Sequence, residues 1–311
     1  RQDMIENERN FNMKKVLLTL SILAVMSLAC GITIDITPNA ENPTEESTPV
    51  SVIEPPTTTP EVFISLTQAI PGTPVASTLV TFGRLTLEIP SSIASGASGN
   101  EVAPVTNEDA AYWEKTPGHL EVSLGDYYIL QGKFHQPRIY VYPAMPYVEL
   151  SPAAFESMHR LCNVMNPASP FTADQLPTVP FFNAAQVFAS NIQALSFQNG
   201  SGIRFVTEYA QYAAPVNNHE LIYHFQGFSD DGEYYIIAIL PLTAPALAET
   251  DDPGAVVPAG GIAYPDINDP NADFQGYYAS VTDLLNATPS DAFTPSLSQL
   301  DALIHSMWVA P

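Results

Sequence analysis

The stretch His219-Glu220-Leu221-Ile222-Tyr223-His224 brings two imidazoles and a carboxylate together, the residue types that hold zinc or move protons. A zinc helix would carry its histidines on one face. Here they are five apart in a run that reads as a strand, so they point to opposite faces and no metal is assigned. Acid–base chemistry needs less. Glu208, Glu220 and His224 fall on adjacent strand candidates, and a secreted hydrolase would use them if the fold brought His224 within hydrogen-bond reach of a carboxylate. His159 and Cys162 are three apart on a helical face, the spacing of a thiolate–imidazole pair. Cys162, however, shares an apolar stripe with Phe155, Met158 and Met165, where burial raises a thiol's pKa, so a structural role is expected. Asp269, Asn271 and Asp273 follow the Asp-x-Asn-x-Asp spacing of a calcium loop, but Phe274 stands where that loop needs glycine and Ser280 where it needs glutamate. Calcium is thus expected as a weak site at most, and otherwise the loop caps the following helix. In the doublets Tyr127-Tyr128 and Tyr234-Tyr235 one ring of each pair could line a groove for a sugar or peptide, although a core-edge position is the simpler expectation. The chain has no G-x-S-x-G, P-loop or dinucleotide glycine pattern. No catalytic residue and no cofactor is assigned, and the ligand-binding residues stay unknown.

Strands must position most of these groups. Val80 to Ile89 alternates and ends at Pro90; His119 to Leu130 and Arg138 to Tyr142 follow. Asn191 to Phe197 and Ile203 to Tyr209 flank Asn199-Gly200-Ser201-Gly202, a hairpin signal in which the glycines are expected to supply positive φ. Leu221 to Phe228 and Tyr234 to Leu240 flank Asp230-Asp231-Gly232, a second hairpin, and the four strands predict an antiparallel meander. The last of them is apolar on both alternating faces and so is expected to be covered on both sides. Three helices are legible: one capped by Ser151 with Pro152 at its first position, one opened by Asn271 or Asp273, and one opened by Thr294-Pro295 that carries Leu297, Leu300, Ile304, Met307 and Trp308 on one face. Helices interrupt or follow strands instead of alternating with them, which predicts an α+β fold, a mainly antiparallel sheet covered by helices.

Composition limits the function. Hydrophobic residues make up 46% of 311, enough for a core, while 33 acidic residues against 10 Lys and Arg leave a formal charge of -23. Such a chain repels phosphate backbones and its cations are scattered, so nucleic-acid binding is excluded as an expectation. Cys30 and Cys162 cannot build a disulfide framework, and burial must hold the fold.

The N-terminus reads as a targeting segment. Residues 1–12 are polar and lie upstream of Met13, where Lys14-Lys15 and the apolar Val16 to Leu28 form a signal peptide over residues 13–29. Its apolar run is shorter than the roughly 20 residues that span a bilayer. The following Ser27-Leu28-Ala29-Cys30-Gly31 resembles the lipobox of bacterial lipoproteins, with Ser27 in place of the usual leucine. The resemblance implies that Cys30 is diacylated and becomes the first mature residue; ordinary signal peptidase cleavage is the alternative. Removing residues 1–29 leaves 6 cations against 30 acids, so the expected link to the membrane is the lipid and not surface charge. Residues 30–78, with eight prolines after Gly31 among Thr, Ser and Glu, read as a linker with a reach of up to about 140 Å at ~3.1 Å per residue. Residues 79–311 form one domain. Its early strand ending in proline, central hairpin with an acidic turn and closing amphipathic helix resemble the PsbP-like α/β/α sandwich, which implies a binding or assembly module. The expected protein is an extracytoplasmic, membrane-anchored binding or scaffolding lipoprotein of unknown ligand. A secreted hydrolase or a structural envelope component is the alternative.

Overall fold

The computed structural model describes residues 76–127, 132–166 and 170–311. The signal-peptide segment, Cys30, the linker as far as residue 75, and Tyr128 lie outside the described residues. Ten strands and four α-helices are described, in two antiparallel sheets.

The smaller sheet begins with β1 (Ser77–Phe82) and β2 (Leu85–Pro90). These replace the single strand expected over Val80 to Ile89, because Gly83 at φ 53 reverses the chain and Phe82 pairs with Leu85. β10 (Trp308–Val309) pairs with β2 and completes three strands. The larger sheet contains β3 (Gly96–Val102), β4 (His119–Gly125), β5 (Arg138–Pro143), β6 (Ala185–Phe197), β7 (Gly200–Ala210), β8 (Ile222–Ser229) and β9 (Tyr234–Pro241). Their order is β3-β4-β5-β9-β8-β7-β6, with β6 to β9 as the expected meander. The fold is α+β with a mainly sheet core.

β9 is the centre of this sheet, and Tyr235 to Leu240 are all buried, as its two apolar faces require. One face, carrying Val206, Tyr223, Ile236 and Ala238, packs against α3 (Phe274–Ala287), α4 (Leu297–His305) and the small sheet. The other, carrying Phe205, Ile222, Tyr235 and Ile237, packs against α1 (Ala144–Leu150) and α2 (Pro152–Val164). Caps set the helix starts: Ser151 accepts from the Ala154 N–H at 3.3 Å, and Asp273 from Gly276 at 2.8 Å. α4 starts two residues later than Thr294-Pro295, because Ser296 and Gln299 form a capping box. It also stops earlier than expected: Trp308 leaves the helical stripe for β10, where it is 40% exposed. α1 is unanticipated. Its Pro146 lies in the first turn, where an N–H has no intrahelical partner to lose, so proline does not oppose the helix.

Two glycines act differently from expectation. Phe197 pairs with Gly200, so Gln198-Asn199 make the β6–β7 turn and Gly200 and Gly202 lie inside β7 without positive φ. Gly202 faces Gly227 across the ladder, and a Cβ there would lie 2.1 Å from the Gln226 carbonyl oxygen, so the requirement is close approach. Gly232, at φ 72, does turn the β8–β9 hairpin.

Candidate functional site

Strand alternation decides which expected partners meet. Phe205 of β7 faces His224 of β8, so both point to the α1–α2 side. Glu208, three residues beyond Phe205, points to the opposite side. His224 is fully buried; its Nε2 donates to the Val179 carbonyl oxygen at 2.9 Å, and Tyr209 Oη donates to Nδ1 at 3.3 Å. Burial lowers its pKa to about 3 and keeps the ring neutral. The His224–carboxylate pair required of a hydrolase is therefore not formed. His219 is not in a strand at all. It sits in the turn before β8, where Nδ1 donates to the Gly132 carbonyl oxygen at 2.6 Å.

Glu208 and Glu220 do come together, near enough for each carboxyl group to act on the other's protonation. The buried Asn217 organises them. Its backbone N–H donates to Glu208 Oε2 at 3.0 Å, its side-chain amide to Oε1 at 3.3 Å, and its Oδ1 accepts from the Glu220 N–H at 3.1 Å. Burial, foremost, then Glu220 and Asp251 raise Glu208 to about 8, against the pull of the Asn217 N–H. Glu220 is raised by burial and by Asp251. One proton is thus held in this acidic group at neutral pH. Glu208 has no exposed surface, and only Glu220 and Asp251 reach the outside.

What they reach is a cleft of about 400 Å³ at the end of β7. Its rings come from loops and a strand end: Phe134, Phe182, Tyr209 and Tyr212, with Phe134 63% and Tyr212 64% exposed. The Phe182 ring is centred 4.6 Å from Tyr209 and 5.0 Å from His135. Tyr212 Oη donates to Asp251 Oδ2 at 2.5 Å, tying the aromatic wall to the acidic one. The loop carrying Phe134 and His135 is pinned to the turn before β8. Phe134 N–H donates to the His219 carbonyl at 2.9 Å, and Lys133 Nζ donates to the Asn218 and Leu242 carbonyls. Burial lowers Lys133 to about 8 and His135 to about 4.

The other sequence candidates are elsewhere. Tyr127 donates to the Pro241 carbonyl in the core, Tyr235 is fully buried, and Tyr234 packs with its ring centroid 4.2 Å from the Arg84 guanidinium, so none of these three lines the cleft. Cys162 is 2% exposed, and His159 stands by Asn163 on the outer part of α2. Asp266 and Asp269 accept from the N–H groups of Asn268 and Asn271, each at 2.9 Å, and Asp273 caps α3. Among the described residues no three His, Cys, Asp or Glu side chains are placed to hold a metal, and no helix is long and apolar enough to cross a membrane. Sequence reasoning missed Phe134, Phe182 and Tyr212. Their one visible signal was that large aromatic residues stood in segments without strand or helix periodicity. No family model matches the chain, and neither the curated proteins nor the solved structures include a similar one.

Proposed function

We propose that this chain is an extracytoplasmic lipoprotein, held to a membrane by acyl chains on Cys30, whose α+β domain captures a small ligand in the cleft at the end of β7. One observation carries the binding part: exposed aromatic rings and converging polar groups line a single cleft of about 400 Å³, within the size range of small-molecule sites. The anchor rests on the Lys14-Lys15 and apolar run ahead of Ser27-Leu28-Ala29-Cys30, and on a charge of -23 that gives an anionic surface nothing to attract. Helices on both faces of the sheet are compatible with the PsbP-like resemblance and with a binding module. The hydrolase reading draws on the Glu208–Glu220 pair, since a carboxyl group kept protonated at neutral pH can act as a general acid. Its weakness is that Glu208 is fully buried and does not itself reach the cleft.

Two measurements test the proposal on protein taken from its native membrane. Mass analysis of the mature N-terminal peptide should find a diacylated Cys30; an unmodified cysteine overturns the anchor. Denaturing the purified protein should release a small molecule that the Tyr212→Ala variant, purified in parallel, does not retain. Equal retention by both proteins would remove the cleft as the binding site.

A further inference from the structure

The cleft contains information about its ligand. Among the described residues no lysine or arginine lines it, whereas Glu220 and Asp251 do, and Glu208 stands behind them. An anion would meet carboxylates on one side and the negative faces of aromatic rings on the other. A neutral apolar ligand would cover those carboxylates without giving them a partner, which is unfavourable for a charged acceptor. A cation satisfies both walls, because carboxylates and ring faces attract the same charge.

His135 adds a ring to that wall, 8% exposed, with the rings of Phe134 and Phe182 each centred 5.0 Å away. Burial keeps its imidazole neutral, so it sets no positive charge beside a bound cation. A metal ion is a poorer fit, since the walls are rings and no three ligating side chains converge among the described residues.

We propose that the cleft binds a small organic ammonium ion with an apolar body, its N–H groups held by Asp251 and Glu220 and its body against Tyr212, Phe134 and Phe182. The assignment deepens the binding reading above and rests on it. Free amines are favoured over a partner's lysine because the volume suits a small molecule enclosed by rings.

The test uses full-length protein in detergent and three probes that share a phenyl body: 2-phenylethylamine, 2-phenylethanol and 3-phenylpropanoate, titrated by calorimetry. The amine should bind at least about tenfold more tightly than the alcohol, and the acid should not bind. Asp251→Asn, an exposed-loop change, should bring the amine down about tenfold, to the level of the alcohol, while the melting temperature is kept. Equal binding of amine and alcohol overturns the cation assignment but leaves the cleft a binding site. Failure of all three probes at 10 mM also overturns the assignment; a molecule released by denaturation would then still uphold the binding reading.

Discussion

Glu208 holds its proton to about pH 8 because burial strips water from the carboxyl group, with Glu220 and Asp251 adding negative charge beside it. The consequence for stability has a definite sign. Between about pH 4.5 and 8 the folded chain keeps a proton that the unfolded chain releases, so stability from this group falls as pH rises. His135 and His224 act in the opposite direction. Their folded values of about 4 and about 3 lie below the ordinary 6.5, so the unfolded chain takes up protons first and stability falls as pH drops below about 6.5. The domain should therefore be most stable near pH 6.5. Glu208→Gln should remove the decline between pH 6.5 and 8, about 2 kcal/mol by linkage, in urea titrations across that range. Parallel curves for the variant and the parent would show that Glu208 is not the group responsible.

At the scale of elements, α4 is fastened to the sheet by a buried polar cluster. Arg204 of β7 pairs with Asp301 at 3.2 Å and donates to Gln193 at 2.7 Å, and Tyr223 donates to Asp301 at 2.8 Å. Asp301→Ala leaves Arg204 buried at 5% exposure without its counter-charge and should cost about 3–5 kcal/mol in chemical denaturation. Replacing both partners by apolar residues should cost less. Gly202→Ala should destabilise by roughly 3 kcal/mol, because its Cβ would meet the main chain of β8 and not a movable side chain. Calcium offers a contrasting test: the Asp266–Asp273 carboxylates already accept from local N–H groups, so millimolar calcium or chelator should leave the melting temperature unchanged. Much of this scale was readable in advance, since β5, β8, β9 and the Ser151 and Asp273 caps follow from period and punctuation. The split at Gly83 was not, because Leu85, Leu87 and Ile89 keep alternating past the turn and mask it. Nor was the parity change in β6, where Asn191 at φ 51 forms a bulge beside a register shift and lets Phe188 and Leu195 face the same core.

For the whole molecule, charge and anchor make one argument. A protein with a formal charge of -23 has no electrostatic hold on an anionic bilayer, so under the proposed reading 1 M salt should not release it. Cys30→Ser should move it into the aqueous phase of a Triton X-114 separation. Release of the parent protein by salt, or retention of the variant in the detergent phase, would remove the lipid from the account. The same charge acts at the cleft, where the surrounding field concentrates cations.

By itself the sequence determined the α+β class, the meander, a doubly covered β9 and the exclusion of several catalytic motifs, because hydrophobic period and turn residues are local properties. Only the tertiary structure decided who meets whom. It put His224 and Glu208 on opposite faces of one sheet, joined Glu208 to Glu220 through Asn217, and gathered Phe134, Phe182, Tyr212 and Asp251 around one cleft. Those encounters depend on register parity and on loops folding back over long sequence separations, and neither is written in the neighbourhood of any one residue.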